Sequence, residues 1–203
     1  MERTVCFRNF EERDIDFIYK CKNDEKLNSM IVGQWHPFTY EEATKWVHGC
    51  MGSHDTFKLW AVCTNDKEQR IVGWIGVSQI DYINNSACFH SIVIADTEYQ
   101  DGMAWIESFL FVMNYIFEEK KLHRMYGTAL TEHEASITIG EAMFERTEGV
   151  FRDAVYKNGR YYDLAYCGIL ANEYFEHKQN GEYELLSIIR RIGKIRKQKR
   201  TNK

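Results

Sequence analysis

Apolar residues along this chain switch between two periods, and the switches mark out its elements. TVCFRNF alternates at Val5 and Phe7, the period of a short strand. EERDIDFIYKCKND places Ile15, Phe17, Ile18 and Cys21 on a helical stripe. SMIVGQWHPF is an apolar loop around Pro37, and TYEEATKWVHGCM opens a helix. There Thr39 precedes Glu42 by the spacing of a capping box, in which each side chain bonds the other's backbone N–H. KLWAVCT and RIVGWIGVSQI are strands joined by a polar turn at Asn65-Asp66, and a turn at Asn84-Asn85 leads into the strand ACFHSIVIA. A long helix is predicted over 103–119, then a strand, RMYGTAL, and a short helix, EASITIGEAMFE. VFRDAVYKNGRYYDLAYCGIL is a hairpin about Asn158-Gly159, the dipeptide that best tolerates the two left-handed positions of a tight turn. NEYFE begins a closing helix. This order predicts an α+β (mixed α/β) class. A helix between two strands permits one parallel pair in an otherwise antiparallel sheet.

Composition bounds the class without changing it. The 203 residues, 44% hydrophobic and 28% charged, suit one globular domain. No apolar run approaches the roughly 20 residues that span a bilayer. The charged start MERTVCFRNFEERD lacks the apolar centre of a signal peptide, so a cytoplasmic protein is expected. Cys6, Cys21, Cys50, Cys63, Cys88 and Cys167 form no C-x-x-C pair and read as reduced thiols. The histidines show no ligand spacing, so no metal is expected.

Charge does change the picture. Residues 187–203, SIIRRIGKIRKQKRTNK, hold eight of the 26 Lys and Arg residues and no acid. The other 186 residues therefore carry 18 basic and 30 acidic side chains, a net −12 within the chain's −4. An acidic body suits a cationic or amine substrate. The basic tail is read as a segment separate from a domain spanning 1–186. Ile188, Ile189, Ile192 and Ile195 recur near helical spacing, so it starts as an amphipathic helix. It could bind nucleic acid, a ribosome or an anionic membrane, lie against its own acidic body, or end as solvated chain.

The candidate chemistry sits in IVIADTEYQDGMAWIESF, residues 92–109. A strand delivered through a glycine turn to a helix N-terminus presents unpaired N–H groups and a partial positive charge, which suit a pyrophosphate. Glu98 and Asp101 stand in the same turn and could cap the helix themselves. Locally, anion binding and simple capping both stay open.

Three more strings accompany this one: PFTYEEATKWV, EHEAS and EGVFRDAVYKNGRYYDLAYCGIL. Together and in this order they resemble the GNAT superfamily of acyl-CoA-dependent N-acyltransferases over about residues 3–171. The likeness is nearest to its ribosomal-protein N-acetyltransferase branch, whose members also acetylate other amines. The resemblance implies a central, mostly antiparallel, splayed sheet flanked by helices, with acetyl-CoA between two parallel strands that part. The thioester would pair with backbone at Ile92, Val93 and Ile94. The family's loop, R/Q-x-x-G-x-G/A, would end at Gly102 and Ala104 and enclose Asp101 and Met103. Its first position falls on Tyr99, with Gln100 displaced by one, so the loop is a residue short.

Further along, His133 stands where the family has a cofactor-contacting Asn. Ser136 matches the serine that can protonate the departing thiolate. The tyrosine many relatives place four residues later is Gly140 here, and the usual G-F is Phe144-Glu145. Candidate bases to free the amine are His90, on the cofactor strand, and Asp153, two residues before the position where relatives can place a glutamate. The acceptor site implied by the family would take Trp35, Phe38, Tyr161 and Tyr162. The leading expectation is an acetyl-CoA-dependent N-acetyltransferase acting on a protein N-terminus or a small-molecule amine. A catalytically weakened acyl-CoA-binding module and an RNA- or ribosome-docking protein are the competing readings, and a homodimer stays open.

Overall fold

In the computed structural model, which describes residues 4–52 and 54–201, the alternating runs become one seven-stranded sheet. Its strands are β1 (Val5–Arg8), β2 (Lys58–Thr64), β3 (Ile71–Asp81), β4 (Ser86–Ile94), β5 (Arg124–Leu130), β6 (Arg146–Lys157) and β7 (Arg160–Leu170). They lie in the order β1-β2-β3-β4-β5-β7-β6. Every neighbouring pair is antiparallel except β4 and β5. That parallel pair exists because α4 (Met103–Asn114) crosses over between them. The predicted long helix narrows to this span and runs on as a π turn over Tyr115–Glu119.

Both sheet faces are covered. On one face pack α1 (Ile15–Lys22) and α3 (Tyr40–Met51), burying Ile18, Ala43 and Val47 against Leu59, Ala61 and Trp74. On the other, α4 buries Ile106, Phe109, Val112 and Met113 against Trp60, Val62 and Val77. β2 thus sorts its residues alternately to the two cores, as the two-residue period of a strand requires. The capping box forms as expected: Glu42 N–H donates to Thr39 Oγ1 at 3.2 Å, and Thr39 N–H to Glu42 Oε2 at 2.7 Å. Asn158 and Gly159 both take positive φ, 51° and 78°, the turn this dipeptide predicts. A four-residue helix, α2 (Glu25–Asn28), has no apolar stripe to announce it; Asp24 caps it by accepting from Leu27 N–H at 2.9 Å.

After β5 come α5 (Glu134–Ala142), α6 (Ala171–Gln179) and α7 (Leu185–Thr201). The basic segment is therefore helical, and it packs on α5. Ile188 and Ile192 are buried in the α4-side core, each contributing about 1.5–3 kcal/mol. The Lys199–Glu141 ion pair at 2.9 Å joins the same two helices, but half-exposed pairs contribute only about 0–1 kcal/mol. Apolar burial, not charge, docks this helix. All six cysteines are free thiols, and burial pushes Cys21, Cys50 and Cys63 up to about 12.

Candidate active site

β4 and β5 pair only at their beginnings, Ser86 with Arg124, Ala87 with Met125 and Cys88 with Tyr126. Beyond Cys88 they part. β5 stays paired to β7 through Leu130, while β4 stays paired to β3 through Ile94. A bulge sits where β4 leaves: Ser91 takes φ 43°, and β4 spends three residues from His90 to Val93 where β3 spends two. Such an extra residue bends its strand and re-aims its side chains. Gly73 and Gly76 let β3 follow closely. A Cβ on Gly73 would stand 2.1 Å from Val93 O, and one on Gly76 2.5 Å from Lys58 O. The parted edge of β4 from Phe89 onward leaves backbone polar groups without a strand partner, a form suited to an extended ligand.

A cavity of about 410 Å³ opens along this edge. Ile92, Val93 and Ile94 of β4 line it, as do Tyr99, Gln100, Asp101 and Gly102 of the turn and His133 and Ser136 of α5. Gly102 has φ 97°, the left-handed conformation that favours glycine, and it starts α4. Nothing lies within 4 Å of where its Cβ would be, so the approach to the helix N-terminus is open. Gln100 Nε2 donates to Ile94 O at 2.9 Å and ties the turn to its strand. Asp101 Oδ1 accepts from Met103 N–H at 2.8 Å. The two local readings of this turn therefore coexist. A carboxylate takes one first-turn N–H, while Gly102 and Trp105 at the start of α4 line the cavity and bring the positive end of the helix dipole to its wall.

The start of α5 adds a polar group and a hydroxyl. His133 caps it: Ser136 N–H donates to His133 Nδ1 at 3.2 Å. Nδ1 is thus an acceptor, which puts the proton of the neutral ring on Nε2. Burial pushes the His133 pKa down, consistent with a neutral ring. Ser136 lines this cavity and two smaller ones of about 250 and 60 Å³, so it stands at their junction.

The smallest cavity holds Glu145. Its Oε2 lies 2.6 Å from where a Cβ on Gly140 would be, so the carboxylate fills the space a side chain at 140 would enter. It makes no hydrogen bond to another described residue, and burial pushes its pKa up to about 7.

The cavity of about 250 Å³ is the candidate acceptor mouth, lined by Met30, Ile31, Val32, Ile92, Leu130 and Ser136 among others. Among the described residues no Asp or Glu lines it. Its loop is held from far along the chain. Lys157, 5% exposed, donates from Nζ to Asn28 O at 2.6 Å and Ile31 O at 2.7 Å. Gln34 Nε2 donates to Tyr156 O at 2.7 Å. Burial pushes the Lys157 pKa down.

The expected cofactor residues largely converge, with two exceptions. Met103 and Ala104 line none of these cavities; Ala104 is buried in the core, and the Met103 N–H is taken by Asp101. The expected acceptor residues do not converge. Trp35 Nε1 donates to Lys22 O at 2.8 Å, and Phe38 packs under the Lys22 ammonium 5.5 Å away. Tyr161 is exposed and meets Tyr156 at a tilt of 56°, while Tyr162 is buried beneath the Arg160 guanidinium. Asp153 is exposed at a bulge on edge strand β6, lines none of these three cavities, and donates its N–H to Asp163 Oδ1 at 2.9 Å. His90 lies on β4 opposite Gly76, and its side chain is outside the described residues. Sequence reasoning missed Lys157, Glu145, Trp105 and Arg196. Of these, Trp105 and Arg196 line the large cavity, and Arg196, one helical turn beyond Ile192, had a periodic signal.

Among the described residues no group of three or more His, Cys, Asp or Glu is placed to hold a metal, and no helix is long and apolar enough to cross a membrane. A spermidine N(1)-acetyltransferase of Vibrio cholerae is 24% identical over 88% of this chain and 100% of its own length. The crystal structure of the spermidine N-acetyltransferase from Vibrio cholerae in complex with CoA and spermine superposes with TM-score 0.74 at 23% identity, over 85% of this chain and 98% of that one. An acetyltransferase (GNAT family) from Bacillus anthracis gives TM-score 0.71 at 24% identity, over 85% and 98%. These likenesses carry the fold and not the ribosomal-protein branch. The model of the acetyltransferase (GNAT) domain matches residues 4–143, from β1 through the parted strands and the glycine turn to the end of α5. With strands, turn and helix N-terminus all inside that match, the chain belongs to the GNAT acetyltransferase family.

Proposed function

We propose that this acetyltransferase moves an acetyl group directly from acetyl-CoA to a primary amine. The observation that carries the reading is the cavity along the parted edge of β4 with the starts of α4 and α5 in its wall. The residues present fit the cofactor. An open strand edge suits the amide-bearing arm, and the glycine-initiated helix end suits a pyrophosphate. The His133 Nε2–H is a further donor. Acetyl-CoA would supply the acetyl group as a thioester, and this chain's groups would do the rest. β4 N–H groups hold and polarise the carbonyl. The Ser136 hydroxyl gives a proton at the sulfur. His133 is a donor and not the base, because its Nδ1 is already occupied by Ser136 N–H.

The amine must arrive without its proton. Met30, Ile31, Val32 and Ile92 on the mouth's lining disfavour the ammonium form and would lower the amine's pKa by desolvation. His90 keeps the role of candidate base on β4; Asp153, exposed and away from the lining, is the weaker one. The absence of a carboxylate from the mouth's lining favours an amine carried on an apolar group, such as a protein N-terminus or a monoamine, over a polycation. The acidic body still draws cationic acceptors at long range.

A binding-only module is the second reading, and the loss of one helix N–H to Asp101 favours it. Titration calorimetry with acetyl-CoA, followed by a CoA-release assay across an amine panel, separates the two. Absence of heat at millimolar acetyl-CoA overturns both. Binding without release on any amine leaves the module.

A further inference from the structure

The basic helix α7 does more than cover α5. Ile188 and Ile192 fix its rotation by burial, and two of its cations are then committed to neighbours. Arg191 donates to Ala142 O at 2.8 Å and Glu182 O at 2.6 Å. Lys199 pairs with Glu141 and donates to Thr138 Oγ1 at 3.3 Å. Arg196 lies between them in sequence, one turn beyond Ile192 and on the same helix face. It is exposed and makes no ion pair or hydrogen bond to another described residue, yet it lines the cavity of about 410 Å³.

That cavity's wall also contains the start of α4, so two sources of positive potential from distant parts of the chain meet in it. The one acid in the lining, Asp101, has an oxygen engaged by Met103 N–H. Elsewhere the body is strongly acidic, whereas this guanidinium lines the cavity with no acid paired to it among the described residues. A guanidinium presents a fork of donors that matches phosphate oxygens.

We propose that α7 is a wall of the cofactor site and that Arg196 anchors a phosphate of the CoA nucleotide, making up for a turn weakened by Asp101. This rests on the acetyl-CoA reading above. The phosphate is either the pyrophosphate or the 3′-phosphate, and the two are separable.

The test is calorimetric binding of CoA and of dephospho-CoA to the full chain and its variants, at low and moderate salt. Arg196→Gln should weaken CoA about five- to tenfold and flatten its salt dependence. Arg196→Lys should retain part of the affinity. Arg190→Gln, exposed on α7 and outside the cavity lining, should match the parent. A loss seen with CoA but absent with dephospho-CoA assigns Arg196 to the 3′-phosphate; an equal loss with both assigns it to the pyrophosphate. Unchanged CoA affinity in an Arg196→Gln protein with the parent's melting temperature overturns the proposal while leaving the acetyl-CoA reading intact. A parent chain that binds neither ligand overturns both.

Discussion

Gly102 and Lys157 each shape one part of the cleft, and they are held in different ways. Around Gly102 the partners are local: Gln100 reaches Ile94, Asp101 reaches Met103, and strand, turn and helix follow one another within about twenty residues. Around Lys157 they are remote. Its ammonium holds Asn28 and Ile31, more than 120 positions earlier, and Gln34 answers by holding Tyr156. The proposed cofactor side is built by a contiguous segment whose backbone would do the binding. The acceptor side is a loop with little structure of its own, positioned by a hairpin that folds back onto it. Changes on one side should therefore leave the other largely intact, and four substitutions test how far that separation goes.

The largest effect is expected at the seam. Ser136→Ala should lower kcat about a hundredfold, the usual scale for losing a positioned proton donor, with the acetyl-CoA Kd little changed. Steady-state kinetics beside calorimetry reads both, and a kcat within threefold of the parent would reduce Ser136 to a helix-turn residue. Lys157→Met should cost about 2 kcal/mol in denaturant unfolding, since it strands two carbonyls in a largely buried place. It should raise the acceptor KM and keep acetyl-CoA affinity within about twofold. Equal damage to both ligands would mean that the two sides are coupled.

Gly102→Asp should act on the cofactor side alone. It forces a side chain into φ 97° and sets a charge at the helix N-terminus, weakening acetyl-CoA at least tenfold, about 1.4 kcal/mol. Open space around that position argues that packing will not suffer, so a folded variant with parental affinity would sink the loop assignment.

The smallest effect concerns Glu145, whose pKa burial raises from 4.5 to about 7. Between those values the folded protein keeps a proton that the unfolded chain has released. Stability therefore falls as pH rises through this window, and the penalty is complete above pH 7. Glu145→Gln should be more stable than the parent at pH 8 by about 1 kcal/mol, less than the full linkage value because the cavity admits some solvation, and nearly equal at pH 5. Parallel denaturant curves at the two pH values check this. A gap that does not change with pH would place the carboxylate in better-solvated surroundings. Cys167 and Tyr183 are titratable neighbours, and burial pushes both pKa values up, so neither ionises between pH 5 and 8.

Much of the cofactor side was legible because its signals are local. β-branched residues stop at Ile94, a glycine precedes an apolar helical stripe, and His133 and Ser136 stand together at the next helix start. The acceptor residues were not legible, because aromatic character alone does not say which way a ring points. Trp35 and Phe38 turned inward around Lys22, and Tyr161 and Tyr162 went to opposite faces of β7 as alternation demands. Asp153 sits on a bulge, and a bulge breaks the same-face rule that had put it near the site.

The sequence by itself determined the class, the order of elements, the crossover that makes one parallel pair, and the turn at Gly102. Each of these follows from periodicity or from a residue whose backbone freedom is special. Only the tertiary structure decided where β4 leaves β5, that Glu145 fills the space above Gly140, and that the basic helix sets Arg196 in the wall of the cavity along β4. Those outcomes depend on side chains from distant segments competing for the same volume, and no local pattern encodes that competition.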